Sequence, residues 1–293
     1  IDGTHARAGA AWAIAGMWLG SHALYYTLVS PTYSHAPSML TGAAFFAHWW
    51  GWRSAPTLRA LFVAGLLAGA AALMRWQDGL WLLVVMIEVL RWRTTWAQRV
   101  RGAALAAAGW LLVFSPQMGV WYVLYGQAFT VPQGAAFMEW WSPNLLDMLV
   151  SDNHGLLSWT PMVALALWGL WTLARRDATT RLPLAFVLLS AWYVNAAVAD
   201  WWAGEAYGAR RFLSLAPLLT LGLATWLTRP DGTLARARVL VTVVMMGLNA
   251  LLLFQYQVFM KGWRDIAPYP RGFTDLWLMR FVVPFRVLGR WWT

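Results

Sequence analysis

The sequence predicts an all-α integral membrane protein, a polytopic bundle of about nine transmembrane helices with one long outer loop that carries a short interfacial helix. Three observations lead there. Of 293 residues, 60% are hydrophobic and 12% charged, with a mean hydropathy of +0.51, outside the mix of a soluble domain. The apolar content is cut into runs of roughly 15–23 residues, the length that crosses a hydrocarbon layer of about 30 Å. The arginines gather in alternate connections between those runs.

Taken in order, the expected spans are 8–29, 38–51, 58–74, 79–90, 102–124, 156–174, 182–199, 212–228 and 239–258. Each is bounded by Arg, Gly, Pro or Asp. No repeat of fixed period and no low-complexity linker divides the chain, so residues 1–293 are read as a single membrane domain. Its outer loop covers 126–155, and 259–293 is read as a basic tail with Lys261, Arg264, Arg271, Arg280, Arg286 and Arg290.

Alternating the loops between two sides puts Arg53, Arg59, Arg91, Arg93, Arg99, Arg101, Arg175, Arg176, Arg181, Arg229, Arg236 and Arg238 on one side, which is therefore predicted cytoplasmic. The net charge of +10 is mostly this topogenic signal, and it argues against nucleic-acid binding, because no basic patch lies on a soluble domain. The chain has no cysteine, which excludes thiolate metal sites and cysteine nucleophiles. It begins at Ile1, and "IDGTHARAG" lacks the sections of a signal peptide. The sequence reads as a fragment.

The loop "GQAFTVPQGAAFMEWWSPNLLDMLVSDNHGLLSWTP" (126–161) is too long to be a plain connection. Its middle predicts a short helix with Ser142 as cap and Pro143 at the first position, burying Leu145, Leu146 and Leu149 and turning Asp147 and Asp152 to water or the cavity. Phe137, Trp140, Trp141 and Trp159 would anchor it at the interface, covering a cavity. Most of the 24 tryptophans read as interfacial or packing residues; Trp159, Trp201 and Trp202 lie where stacking on a sugar ring is also geometrically open.

Two polar clusters face the side that should be poor in arginine. "RWQD" places Arg75, Gln77 and Asp78 between two spans, and "VADWWAGEAYGARRF" places Asp200, Glu205, Arg210 and Arg211 before another. Arginines there either pair with the nearby carboxylates or lipid head groups, or hold a phosphate, whose oxygens match the guanidinium fork. In the uncharged stretch "LYYTLVSPTYSHAPSMLTGAAFF" (24–46), His35 with Ser34 and Ser38 either faces the same cavity, or His35 caps the following helix or bonds the backbone freed by Pro31 and Pro37. His22 and His48 read as structural. The groups available as a general base are Glu139, Asp152, His154, Asp200 and Glu205. No metal-ligand spacing occurs and no cofactor is expected, although a divalent ion bridging a phosphate stays open.

"YYTLVSPTYSHAPS", "RWQD", "HGLLSWTP" and "WWAGEAYGARRF" occur in the order in which similar segments occur in bacterial multi-spanning glycosyltransferases of the GT-C fold, the branch related to protein O-mannosyltransferases and lipid A aminoarabinose transferases. The chain resembles that family from Tyr25 to the "FMKGW" near Phe259. The resemblance implies an inverting transferase that takes a sugar from a polyprenyl-phosphate carrier on the outer face of the inner membrane and passes it to a lipid, glycan or protein acceptor, among membrane lipids. Family members carry an acidic catalytic residue in the first outer loop. Residues 1–24 contain no such loop, and Asp2 lies on the predicted inner side, so the catalytic residue stays unassigned and an N-terminal portion is expected upstream of Ile1.

Two other classes fit the composition. A transporter or flippase of a lipid-linked or anionic substrate would also line a cavity with arginines, but it should show symmetry between halves and spans broken at Gly or Pro, for which Pro116 and Pro161 are the only hints. A non-catalytic membrane scaffold is the third.

Overall fold

The computed structural model describes residues 3–32, 34–229 and 235–291, and every regular element among them is helical. The elements are α1 (Gly3–Leu19), α2 (His35–Trp52), α3 (Leu58–Met74), α4 (Trp81–Arg91), α5 (Trp96–Tyr125), α6 (Leu145–Val150), α7 (Leu156–Trp159), α8 (Met162–Arg176), α9 (Ala178–Ala196), α10 (Ala216–Leu227), α11 (Ala235–Met260) and α12 (Met279–Trp291). An isolated antiparallel bridge joins Met138 to Val198. Asp2 and the predicted inner loop around residue 233 lie outside the described residues.

Among the described residues two helices, α5 with 30 residues and α11 with 26, are long and apolar enough to cross a membrane. Apart from the four-residue α7, the other α-helices within the predicted spans run from 11 to 19 residues, below the roughly 20 of a full crossing. Local chemistry explains the shortening. The run 8–29 breaks after Leu19, where the Ser21 hydroxyl donates back to the Met17 carbonyl at 2.5 Å, and resumes as a wide π-turn over Tyr25–Val29. The run 156–174 breaks at Thr160–Pro161, between α7 and α8. The run 212–228 begins as a 3-10 segment, Arg210–Leu215, before α10. Where caps are strong the expected elements appear: Thr57 accepts from the Ala60 amide at 3.1 Å, Thr95 accepts from the Gln98 amide at 3.3 Å, and Gly126, at φ 72°, ends α5.

Small residues set the helix crossings. At the α8–α10 contact a Cβ on Gly169 would stand 1.7 Å from the Gly222 carbonyl oxygen, so the two backbones touch. Elsewhere aromatic rings fill the interior: Phe45 and Phe46 of α2 lie 5.2 Å and 4.8 Å from Trp81 of α4. Glu88, buried within α4, accepts from the Trp49 indole at 3.0 Å. His48 donates to the Ala60 carbonyl at 2.9 Å, and His22 meets the Thr160 hydroxyl at 3.3 Å.

The connections sort into two ends. At one, Arg53 pairs with Asp177 at 3.1 Å and Arg91 donates to the Thr179 carbonyl at 2.6 Å, so three arginine-bearing connections meet. At the other, residues 20–32, 34, 75–80, 126–161, 197–215 and 261–273 meet through polar contacts described below.

Two expectations change. The short loop helix starts at Leu145 rather than near Ser142, because the Asn144 amide is committed to the Ala196 carbonyl (2.9 Å) and the Trp192 indole holds the Leu145 carbonyl (2.9 Å). That contact with α9 sets the helix phase: Met148 is buried, Leu145 and Leu149 are half-buried, and Leu146 is 75% exposed. The described part of the basic tail, 259–291, is folded onto the helices. It turns back through 261–273 into α12, where Val283 packs on Val258 and Phe259 and the buried Arg280 donates to the Leu276 and Leu248 carbonyls.

Candidate functional site

The arginine-bearing 3-10 turns converge on one cavity. Arg75 closes α3 and opens the 3-10 turn Trp76–Leu80; Arg210 and Arg211 open the 3-10 segment before α10; His35 begins α2. A cavity of about 350 Å³ is lined by Arg75, Arg210, Arg211, His35, Gln77 and Ser34. Gln117 and Trp121 of α5 and Gln133 and Phe137 of the long loop also line it.

Arg75 is held rather than swinging free. Its Nη1 donates to His35 Nδ1 at 2.8 Å, and with the Gln77 amide turned so that Oε1 faces the guanidinium, Gln77 accepts from Nη2 at 2.8 Å and Nε at 3.1 Å. An imidazole that accepts at Nδ1 carries its proton on Nε2. His35 therefore acts at the cavity as a neutral ring, tilted at 58° to the Tyr26 ring with centroids 4.6 Å apart, and Ser38 donates to the His35 carbonyl at 2.8 Å. His35 thus lines the cavity, and no side chain makes a cap bond at the start of α2. Three of the five guanidinium donors of Arg75 are used, leaving two for a ligand.

Asp78 is corrected from cavity residue to support. The 3-10 turn points it inward, where Oδ1 accepts from the Ser214 hydroxyl at 3.0 Å while Oδ2 is buried without a hydrogen-bond partner. Burial pushes its carboxyl up to about 7, against the opposing pull of Arg75. Arg211 pairs with Asp200 at 2.6 Å and also donates to the Asp200 carbonyl at 3.1 Å, so the carboxylate-pairing alternative holds for this arginine even though it lines the cavity. Arg210 lies against the Tyr26 hydroxyl.

The base candidates are not brought to this cavity. Glu139 is exposed, and its amide is tied to the Ala197 carbonyl at 2.6 Å. Asp152 accepts from its neighbour Ser151 at 3.3 Å. His154 is buried at φ 68°, stacked 4.7 Å from Trp159, with Nε2 against the Ala206 carbonyl (2.6 Å) and the Tyr269 hydroxyl (2.5 Å). Burial lowers its imidazole to about 4, so it is a neutral strut. Asp200 is engaged by Arg211, and Glu205 faces a second cavity. Trp159 is buried, which removes it from sugar stacking. Among the described residues no group of three His, Asp or Glu side chains is placed to hold a metal.

A third cavity, about 560 Å³ and largely aromatic, runs beside the first and shares Trp76 and Trp121 with it; Trp110, Phe114 and Phe129 line it. No protein-family model, curated protein or solved structure matches this chain.

Sequence reasoning missed Gln117 and Trp121, which sit on an otherwise ordinary apolar helix, and it missed the tyrosines. Tyr25, Tyr26, Tyr207, Tyr256 and Tyr269 pack with centroids 4.8–6.2 Å apart behind the arginine segment. The doublet in "YYTLVSP" and the polar–aromatic "FQYQ" (254–257) were the available signals.

Proposed function

We propose that this chain is a multi-pass protein of the bacterial inner membrane, with its polar end at the periplasmic face, and that it transfers a sugar from a polyprenyl-phosphate carrier to a lipid, glycan or protein acceptor. The observation that carries the reading is the convergence of Arg75, Arg210 and Arg211 from two separate segments on one cavity that adjoins an aromatic, apolar groove through Trp76 and Trp121. A phosphate with a prenyl tail has that same division of chemistry. In transfer, the acceptor hydroxyl forms the new bond to the anomeric carbon, the anomeric C–O bond to phosphate breaks, and the phosphate leaves with the electron pair into the arginine cluster. The hydroxyl proton goes to a base that the described wall of this cavity does not supply, because no carboxylate lines it.

The same lack of a carboxylate favours a second reading, a transporter or flippase that only binds the lipid-linked anion. One assay separates them. Purified full-length chain in lipid nanodiscs is given a polyprenyl-phosphate-linked radiolabelled sugar with a membrane lipid extract as acceptor, and both carrier binding and release of free polyprenyl phosphate are followed. Transfer requires release. Arg75→Ala and Arg210→Ala should abolish binding and release while leaving folding intact, and Arg93→Ala should be nearly silent. Equal effects of all three substitutions would refute phosphate binding at this cavity, and binding without release would leave the transporter.

A further inference from the structure

A second cavity, about 620 Å³, is lined by Asn153, Trp201, Trp202, Glu205, Tyr269 and Arg271. Its size falls in the range of about 300–1,000 Å³ typical of small-molecule sites. Trp201 and Trp202 stand at 86° to each other with centroids 5.8 Å apart, so the two indoles present faces in two directions. The wall that carries them has no regular helix, yet its carbonyls are pinned from three other segments. The Asp200 carbonyl accepts from Arg211 (3.1 Å), the Glu205 carbonyl from the Tyr256 hydroxyl (2.8 Å), and the Ala206 carbonyl from the Tyr269 hydroxyl (3.0 Å) and His154 (2.6 Å). Ala203, at φ 61°, sits in a left-handed backbone region that disfavours a non-glycine residue, and its amide is held by the Asp200 carbonyl at 2.7 Å. A strained turn fixed at this many points presents its side chains in one arrangement.

We infer that this second cavity is a carbohydrate-binding site, in which Trp201 or Trp202 stacks on a pyranose ring and Asn153, Glu205 and Arg271 hydrogen-bond its hydroxyls. The reasons are chemical. Aromatic faces are electron-rich and attract the electropositive C–H face of a sugar ring. Asn, Glu and Arg are planar groups with paired donors or acceptors that match neighbouring hydroxyls. One carboxylate and one guanidinium, with no ion pair formed by either among the described residues, leave the site balanced in charge and suited to a neutral polyol rather than a simple anion or cation. The inference does not depend on the phosphate reading of the first cavity, and its assay uses no polyprenyl phosphate.

The test is saturation-transfer difference NMR on the full chain in detergent micelles, with methyl α-mannopyranoside, methyl β-glucopyranoside, N-acetylglucosamine and phosphocholine as separate probes. At least one glycoside should receive saturation, strongest on one ring face. Trp202→Ala should weaken that binding about fivefold, as expected for loss of one aromatic face. Glu205→Gln should weaken it as well, and since the wall uses the Glu205 carbonyl and not its side chain, the fold is left alone. Trp141→Ala, on the 99% exposed indole of the long loop, is the control and should change nothing. Saturation of no glycoside, saturation of phosphocholine alone, or an equal loss in Trp141→Ala overturns the inference.

Discussion

Replacing Gly169 by alanine tests the contact that seats the arginine segment. The new methyl would stand 1.7 Å from the Gly222 carbonyl oxygen and 2.6 Å from its carbon, against an ordinary contact of about 3.5 Å. No flexible side chain can give way, because both neighbouring atoms are backbone. α8 and α10 must part locally by more than 1 Å or so, and overpacking of this kind costs about 1–3 kcal/mol, with the close backbone contacts adding about 0.5–1 kcal/mol. Taking about 3 kcal/mol and about 2–4 °C per kcal/mol for a chain of this size, the thermal midpoint in detergent should fall by about 6–12 °C. Gly247, in the middle of α11, has nothing within 4 Å of the corresponding position. There alanine should raise the midpoint by about 1–4 °C through helix propensity. Because α10 follows directly on Arg210–Leu215, Gly169→Ala should also weaken polyprenyl-phosphate binding at the first cavity. A midpoint for Gly169→Ala at or above that of Gly247→Ala would refute the packing argument.

Three further outcomes follow from particular groups. His154 is held at about 4 by burial, so an unfolded chain takes up its proton first as pH falls; the stabilisation is full above pH 6.5 and is lost between 6.5 and 4, on the order of 3 kcal/mol. His154→Gln should flatten the pH dependence of the thermal midpoint in that window, and an unchanged slope would show that His154 does not titrate there. Hydrogen exchange should be slow at the amides of Glu139, Asn144 and Ala199 without any ligand, since each is bonded to a carbonyl across the loop–α9 contact; fast exchange would restore a mobile cover over the cavity. Reporter fusions should place residues near 96, 178 and 233 in the cytoplasm and residues near 140 and 205 outside, and a cytoplasmic residue 140 would invert the proposed topology.

Much of the helical layout was legible because it depends on short-range chemistry. The run 58–74 is α3 as expected, since Thr57 caps it and Arg75 ends it. The run 102–124 is the centre of α5, which the Thr95 cap and Gly126 extend at both ends. The breaks were not legible. Gly20–His22 and Thr160–Pro161 interrupt apolar runs whose hydropathy is continuous, and each break is stabilised by partners distant in sequence: His22 meets Thr160 across 138 positions. Loop-helix phase failed for the same reason. Spacing alone puts Leu146 on the buried face, but contact with α9 turns Met148 inward instead.

The site divides along the same line. Residue type and the rarity of arginine on one predicted side were enough to single out Arg75, Arg210, Arg211, His35 and Gln77, because charge in an apolar setting needs a reason that can be read locally. Which carboxylates accompany them was beyond the sequence. Asp78, Asp200, Glu205 and Glu139 look alike as neighbours of arginine or of the long loop, and only the tertiary path sends Asp78 inward to Ser214, ties Asp200 to Arg211, aims Glu205 at a different cavity and leaves Glu139 in the open. By itself the sequence determined an apolar, all-helical chain, since hydropathy and residue chemistry act at each position. The tertiary structure alone decided which polar groups share a cavity, because that depends on directions and distances between segments up to 230 residues apart, as from Leu19 to Asn249.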